Sequence, residues 1–259
     1  MEHNSKSNIT HYVELFPEFY GSPEELVCSG CDYCNGDGVE KNIELGRALF
    51  EKAASMENIE AMALLGQLYR LDDYEHRDEK LSAKWFLEAA IRGDADSQFE
   101  VGLLYDNGRG VEIDLVKAFY WYKKAALQGL GLAQFNVGFD YHYGCGIPQS
   151  YRLAAHWYEK AVQQGIPEAM NNLGDLYLHG FGVPRNTNKA YQLIFSSALR
   201  NNPPAMHHLA EMYEKGIGVK QDYSIALLWY KKASHNGIDV PKEKIVELQK
   251  KKCMLSKGL

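Results

Sequence analysis

A repeating pattern of apolar residues runs along most of the chain. All four tryptophans fall on one phase of a 36-residue period, and each is followed by a large apolar residue. A period of this length is typical of arrays in which every unit is a pair of helices. The sequence therefore predicts six consecutive helix-turn-helix repeats over residues 25–240. The same spacing separates six tyrosines, which are Tyr33, Tyr69, Tyr105, Tyr141, Tyr177 and Tyr213.

The predicted repeats cover residues 25–60, 61–96, 97–132, 133–168, 169–204 and 205–240. We number each repeat from its first residue. The six tyrosines named above then lie at position 9, the tryptophans at position 25, and the large apolar residues that follow the tryptophans at position 26. Position 18 always carries Asn, Asp or Ser, which favours the start of a helix there. Position 33 carries Gly or Asn in the last five repeats, which favours the end of that helix.

A first helix is expected over about positions 1–11 of each repeat, before a turn with glycines at positions 12 and 14. The second repeat has Asp72, Tyr74 and Glu75 in this region, so its turn is expected to differ. Small residues at position 6 would let another helix approach closely. Residues 1–24 are expected to form an N-terminal segment and cap, with His11–Tyr20 covering the first repeat. Residues 241–259 are expected to form a C-terminal capping helix and a basic tail.

A helical wheel places positions 1, 5, 8, 9 and 12 of the first helix in the core. Positions 3, 4, 7, 10 and 11 then lie outside it, and this arc turns aromatic in the middle of the array. Exposed rings beside amides suit the binding of a peptide or a partner helix, although the rings could instead meet neighbouring helices or a terminal segment folded back. The candidate binding residues are Phe99, Leu103, Phe135, Asn136, Phe139, His142, Tyr143, Asn171, Asn172, Asp175, His179, His207, His208 and Glu211.

The overall composition argues against several classes of protein. The net charge is −6, so the chain lacks a strongly cationic surface for nucleic acid. It has no apolar run of about 18 residues, so no membrane span is expected. The first residues, Met1–Lys6, lack the apolar stretch of a secretory signal. A cytoplasmic location is the expectation that follows.

Little in the sequence indicates catalysis. Cys28, Cys31 and Cys34 are the most metal-like group, but no fourth cysteine is near them, and filling space is the simpler interpretation. Asp32 and Asp140 lie at position 8, where partial exposure is expected. Asp140 could also line a groove with His142, Cys145 and His179 as a metal or catalytic cluster. No nucleophile elbow, P-loop or dinucleotide fingerprint is present, so neither an enzyme nor a cofactor is expected.

The stretch from Ser97 to Gly129 reads SQFEVGLLYDNGRGVEIDLVKAFYWYKKAALQG. This pattern resembles the Sel1-like repeat family, a relative of the tetratricopeptide repeats. The resemblance implies an all-α, right-handed α-solenoid whose first helices line a concave groove. It also implies a scaffold or adaptor that binds a partner protein or peptide. The alternatives are a toxin-neutralising immunity protein or an inhibitor that regulates an enzyme, and less favoured are a hydrolase or a metal-binding protein.

Overall fold

The computed structural model describes residues 20–71 and 74–256. These residues form thirteen α-helices and no strand. The expected N-terminal cap over His11–Tyr20 lies almost wholly outside the described residues. The helices are α1 (Pro23–Asn35), α2 (Ile43–Ser55), α3 (Ile59–Leu68), α4 (Glu79–Ile91), α5 (Ala95–Asn107), α6 (Leu115–Leu127), α7 (Gly131–Tyr143), α8 (Tyr151–Gln163), α9 (Pro167–His179), α10 (Thr187–Leu199), α11 (Pro203–Lys215), α12 (Tyr223–His235) and α13 (Lys242–Ser256).

The chain divides into two compact units, an amino-terminal unit up to Ala125 and a carboxy-terminal unit from Ala126. Each unit has its own apolar core. In the amino-terminal unit Leu49 and Leu65 are almost fully buried. In the carboxy-terminal unit Leu176 and Ile194 are completely buried. Burial of this kind is the main source of folding free energy in a helical repeat, because each helix pair covers the apolar face of the next one.

The second helix of every repeat begins where the sequence predicts. All six residues at position 18 accept a hydrogen bond on the side chain from a backbone N–H of the first helical turn. The backbone N–H of the same residue also donates to the carbonyl of the tyrosine at position 9, at 2.7–2.9 Å in all six repeats. This bond ties the two helices of one repeat together across the turn. Position 33 has a positive φ in every repeat, including Glu57 at 64° and Asn201 at 61°.

The first helices begin about two residues earlier than the sequence analysis placed them. Asn58, Asp94 and Asn202 cap three of them through the side chain, at distances of 2.8, 2.7 and 3.0 Å to the capped N–H. The end of the helix is marked in five repeats by a left-handed glycine, such as Gly144 with φ of 78°. The second repeat differs as expected, since α3 ends at Leu68.

Tyr74 replaces the missing glycine turn of that repeat with a packed side chain. It is buried, and its hydroxyl donates to the carboxylate of Glu44 at 3.0 Å. Asp72 lies outside the described residues.

The small residues at position 6 allow the close approach that the sequence predicts. A Cβ added at Gly138 would lie 2.6 Å from the ring of Tyr158, and one added at Gly66 would lie 2.8 Å from the ring of Phe86. Both distances are below van der Waals contact. The side chain at position 26 therefore lies directly against the backbone of the first helix at position 6.

The prediction that positions 3 and 10 lie outside the core is wrong, except at position 10 of the third repeat, where Asp106 is exposed. The side chain at position 3 packs on the residue at position 26 of its own repeat: Phe99 lies 5.7 Å from Tyr122, Phe135 lies 6.0 Å from Tyr158, and His207 lies 5.3 Å from Tyr230 between ring centroids. Phe99 and Phe135 are accordingly half-buried rather than exposed.

Position 10 binds the hydroxyl of the same tyrosine. The hydroxyl of Tyr122 donates to Asp106 at 3.3 Å, and that of Tyr230 donates to Glu214 at 2.9 Å. His142 Nδ1 lies 3.3 Å from the hydroxyl of Tyr158. Because positions 3, 6 and 10 lie about one turn apart, they form one face of the helix. We call this face the inner stripe, and positions 4, 7 and 11 the outer stripe.

The expected partial exposure of position 8 holds for only one of its two aspartates. Asp32 is half-buried, as expected. Asp140 is only 8% exposed, so that expectation is wrong for this residue. The reason is its place one helical turn after Val137, which is completely buried on the same side of α7.

A terminal helix, α13, packs against the last repeat. Its Leu248 is completely buried. Its Lys244 donates to the buried carboxylate of Glu214 at 2.6 Å. The last repeat is thus covered by apolar contacts of Leu248 and Ile245 and by the ion pair of Lys244 with Glu214. Within the described part of the chain, no helix is long and apolar enough to cross a bilayer.

Candidate protein-binding cleft

The outer stripe of the carboxy-terminal unit is the accessible part of its first helices. Phe139 and Tyr143 of α7 are 39% and 57% exposed. His179 of α9 is also exposed, whereas Asp175 and Glu211 are half-buried. Two aromatic rings therefore face solvent where the packing of the repeat does not need them.

Phe139, Tyr143 and Asp175 border a cleft between α7, α9 and α11. Its volume is about 490 Å³. We call it the aromatic cleft. A second cleft of about 470 Å³ adjoins it and shares Asp175 and His208 with it. The aromatic cleft is lined by Phe135, Phe139, His142, Tyr143, Glu168, Asn171, Asn172, Asp175, Asn202, Pro204 and His208.

Rings from α7 form one wall of the aromatic cleft. The centroids of Phe139 and Tyr143 are 4.5 Å apart, and those of Tyr143 and His142 are 4.3 Å apart with nearly parallel planes. Phe135 lies behind Phe139 at 6.3 Å and is stacked on the core residue Tyr158. The exposed rings are thus supported from beneath by buried ones, which limits the freedom that they would lose on binding.

A hydrogen-bonded network forms the floor of the cleft. His208 Nδ1 lies 2.9 Å from Asn171 Oδ1, and Asn171 Nδ2 donates to Asn172 Oδ1 at 3.3 Å. Asn172 Nδ2 in turn donates to the hydroxyl of Tyr158 at 3.2 Å. Because the same hydroxyl also meets His142, the network joins all three first helices of the cleft.

Burial keeps the two histidines of this network neutral. It lowers the pKa of His142 and of His208, although the nearby carboxylate of Asp175 acts in the opposite direction on both. Burial likewise raises the pKa of Tyr158, so its hydroxyl stays protonated. The floor is therefore polar and uncharged near pH 7.

Most of the predicted site residues of the carboxy-terminal unit meet in the two clefts. Phe135, Phe139, His142, Tyr143, Asn171, Asn172, Asp175 and His208 line the aromatic cleft, while His179 and Glu211 line the adjoining one. Two of them, His142 and Asn171, were expected to be exposed. They are buried instead, with exposed fractions of 8% and 6%. Their place on the inner stripe, at positions 10 and 3, explains the difference.

Four predicted residues do not line either cleft. Asn136 and His207 are half-buried and absent from both linings. Phe99 and Leu103 belong to the amino-terminal unit, where both are half-buried.

Sequence reasoning missed Glu168, Asn202 and Pro204, which line the aromatic cleft. They lie at or before the first turn of their helices, which the sequence analysis placed two residues too late. The prolines at the start of α9 and α11 were the signal for the earlier start.

Two of the three cysteines of α1 have the surroundings of packing residues. Cys28 is exposed, and Cys31 and Cys34 are half-buried. The sulfur of Cys34 lies against Gly46 of α2, where no Cβ would fit. Burial raises the pKa of Cys34 to about 11, so this thiol is protonated at neutral pH. Among the residues that the structure describes, no three His, Cys, Asp or Glu side chains are grouped to hold a metal ion.

The proposed cluster of Asp140, His142, Cys145 and His179 is not assembled in the clefts. His142 lines the aromatic cleft and His179 lines the adjoining one, whereas Asp140 and Cys145 line neither.

Comparison with solved structures gives two close matches to the fold. One is the crystal structure of c5321, a protective antigen present in uropathogenic Escherichia coli strains and displaying an SLR fold. It is 27% identical, with a TM-score of 0.79, over 96% of this chain and 56% of that one. The other is a Sel1 repeat protein from Oxalobacter formigenes, 30% identical with a TM-score of 0.72, over 88% of this chain and 67% of that one.

Among curated proteins, the chain is similar to DAP3-binding cell death enhancer 1 of Rattus norvegicus. The two are 38% identical over 71 residues, which is 27% of this chain and 14% of the rat protein. The chain therefore spans a small part of that relative and just over half of c5321.

The Sel1 repeat family model matches six consecutive segments of the chain. They are residues 30–58, 59–94, 95–130, 131–166, 167–202 and 203–238. The matches cover most of the sequence and follow the helix pairs of the structure. The all-α helical-repeat fold is confirmed, and the chain belongs to the Sel1 repeat family.

Proposed function

We propose that the chain is a non-enzymatic scaffold that binds a segment of a partner protein in its aromatic cleft. The observation that carries the proposal is the exposure of Phe139 and Tyr143 on the outer stripe of α7. The same two positions hold Asp175 and His179 in α9, and Glu211 and Lys215 in α11. Since polar residues satisfy the fold at these positions, the rings of α7 are not needed for packing.

Rings in such a setting are typical anchors of protein interfaces. Aromatic residues bury a large area with few rotatable bonds, and they dominate the energetics of many interfaces. The fixed network beneath them supports the same role, because a rigid floor lowers the entropic cost of binding.

The comparisons support the class of function and not a particular partner. Sel1 repeats are generally helical scaffolds for protein interaction. The rat relative is named for binding DAP3, but the match covers 71 residues of it. We therefore leave the identity of the partner to experiment.

Capture from a lysate of the source cells, with identification by mass spectrometry, tests the proposal. Phe139→Ala/Tyr143→Ala removes the two exposed rings. Tyr120→Ala and Leu228→Ala are matched controls, because these side chains are 50% and 52% exposed on α6 and α12 and do not line the aromatic cleft. Replacement of Phe135 is avoided, since its ring is stacked on the core residue Tyr158.

We expect a protein that is captured by the wild type and by both controls but not by the double variant. Equal capture by the double variant would refute the proposal. If the captured protein is an enzyme that loses activity on binding, the chain acts as an inhibitor, the alternative class of function.

A further inference from the structure

The aromatic cleft has an anionic wall. Its lining includes the carboxylates of Glu168 and Asp175 but no lysine or arginine. Its two histidines belong to the neutral floor described above. The adjoining cleft differs, because its lining includes Arg185 and Lys215 as well as Asp175 and Glu211.

Among the described residues, the carboxylates of the aromatic cleft also lack a lysine or arginine partner, which the equivalent carboxylate of α11 has. On the outer stripe of α11, Lys215 neutralises Glu211 at 3.0 Å. The equivalent pair in α9 is Asp175 with His179, at 3.3 Å, so a histidine stands where α11 has a lysine. Within the described residues, neither Asp175 nor the exposed Glu168 forms an ion pair with lysine or arginine.

The exposed rings of the cleft likewise lack a cation. Elsewhere in the carboxy-terminal unit, lysines lie over aromatic rings: Lys189 is 4.1 Å from the centroid of Tyr177, and Lys232 is 4.5 Å from that of Trp229. No such lysine or arginine lies over Phe139 or Tyr143 in the part of the chain that the structure describes. An aromatic face next to a carboxylate attracts a cation, because the negative face of the ring quadrupole and the negative charge of the carboxylate both attract positive charge.

We propose that the aromatic cleft binds an arginine or lysine side chain of the partner segment, with its charged end between the rings of α7 and the carboxylates of α9. This inference rests on the proposed function, since it names the chemistry that the same cleft recognises. A guanidinium suits the site better than an ammonium, because its plane stacks on a ring while its N–H groups donate to a carboxylate.

Short peptides provide a direct probe. The host is a glycine–serine peptide blocked at both ends, with arginine, lysine, citrulline or norleucine at its centre. Citrulline matches the shape of arginine without its charge. Binding to the full chain is followed by NMR, through the ring signals of Phe139 and Tyr143 and the side-chain signals of the peptide.

We expect the arginine and lysine peptides to shift the two ring signals and to bind about tenfold more tightly than citrulline, as for a hydrogen bond to a charged group. Asp175→Asn should weaken the arginine peptide about tenfold and leave the citrulline peptide unchanged. Glu243→Gln, which removes an exposed carboxylate of α13, is the matched control and should alter neither.

Equal binding of the arginine, citrulline and norleucine peptides at these rings would overturn the charge selectivity while leaving a protein-binding cleft intact. Absence of any ring shift, or shifts confined to other residues, would also overturn it. The proposed function is judged separately, by whether capture from the lysate depends on the two rings.

Discussion

The inner and outer stripes of α7 lie on one thirteen-residue helix, yet their side chains have different surroundings. On the inner stripe, Phe135, Gly138 and His142 all contact Tyr158 of the same repeat. On the outer stripe, Phe139 and Tyr143 contact each other and the rings of Phe135 and His142, and both are exposed to solvent. The difference separates two reasons for an aromatic residue in this chain: the inner rings hold a helix pair together, and the outer rings are available to a partner.

The largest effect is expected at the ring on which the inner stripe packs. Tyr158→Ala should lower the free energy of unfolding by about 3–5 kcal/mol, because it empties a completely buried site. Tyr143→Ala, at a ring that is 57% exposed, should change it by less than about 0.5 kcal/mol. Urea unfolding followed by circular dichroism measures both. Similar losses in the two variants would remove the distinction between the stripes.

A smaller effect is expected where α13 contacts the inner stripe of the last repeat. Lys244→Met leaves the carboxylate of Glu214, whose side chain is 8% exposed, without its nearest cation. Lys251 stays 4.0 Å away and the side chain of Lys244 is itself 30% exposed, so we expect a loss of about 1–2 kcal/mol.

The outer stripe of α11, the helix that carries Glu214, provides the control for the pair of Lys244 and Glu214. Lys215→Met breaks the ion pair with Glu211, in which the two side chains are 51% and 40% exposed, and should cost less than about 0.5 kcal/mol. Thermal unfolding of the two variants under identical conditions makes the comparison. A larger loss of stability from Lys215→Met than from Lys244→Met would contradict the expected order of the two effects.

The smallest of these effects is the dependence of the free energy of unfolding on pH. Burial lowers the pKa of His142 in the folded chain, so the unfolded chain takes up a proton at the higher pH. The contribution of His142 to the free energy of unfolding is therefore fully present above its unfolded pKa of about 6.5, and it falls as the pH drops below that value.

Unfolding in urea at pH 7.5 and at pH 5.5 tests this sign. Because carboxylates also contribute in this range, the comparison is between the wild type and His142→Gln. The variant should lose less stability than the wild type on acidification. An equal or greater loss in the variant would show that His142 is not the source.

Local signals in the sequence are enough to predict the second helices. The cap at position 18 and the left-handed residue at position 33 act on the backbone within one helical turn, so they can be read without knowing the fold. Asp114 and Gly129 delimit α6 in this way.

The division between inner and outer stripe could not be predicted as easily. It depends on which way the ring at position 26 points, and that is decided by the crossing of two helices. A helical wheel of α7 alone therefore placed Phe135 and Phe139 on one exposed arc, although only Phe139 is exposed. Glu168 and Pro204 were missed for a related reason, since a shift of two residues in the start of a helix changes which residues line the cleft.

We infer that the outer rings of α7 serve binding and not stability. The most direct test measures lysate capture and the free energy of unfolding on the same preparations of wild type and Phe139→Ala/Tyr143→Ala. We expect the double variant to lose the partner while its unfolding free energy stays within about 1 kcal/mol of the wild-type value, the sum expected for two surface substitutions. Retention of the partner, or its loss together with several kcal/mol of stability, would contradict the claim.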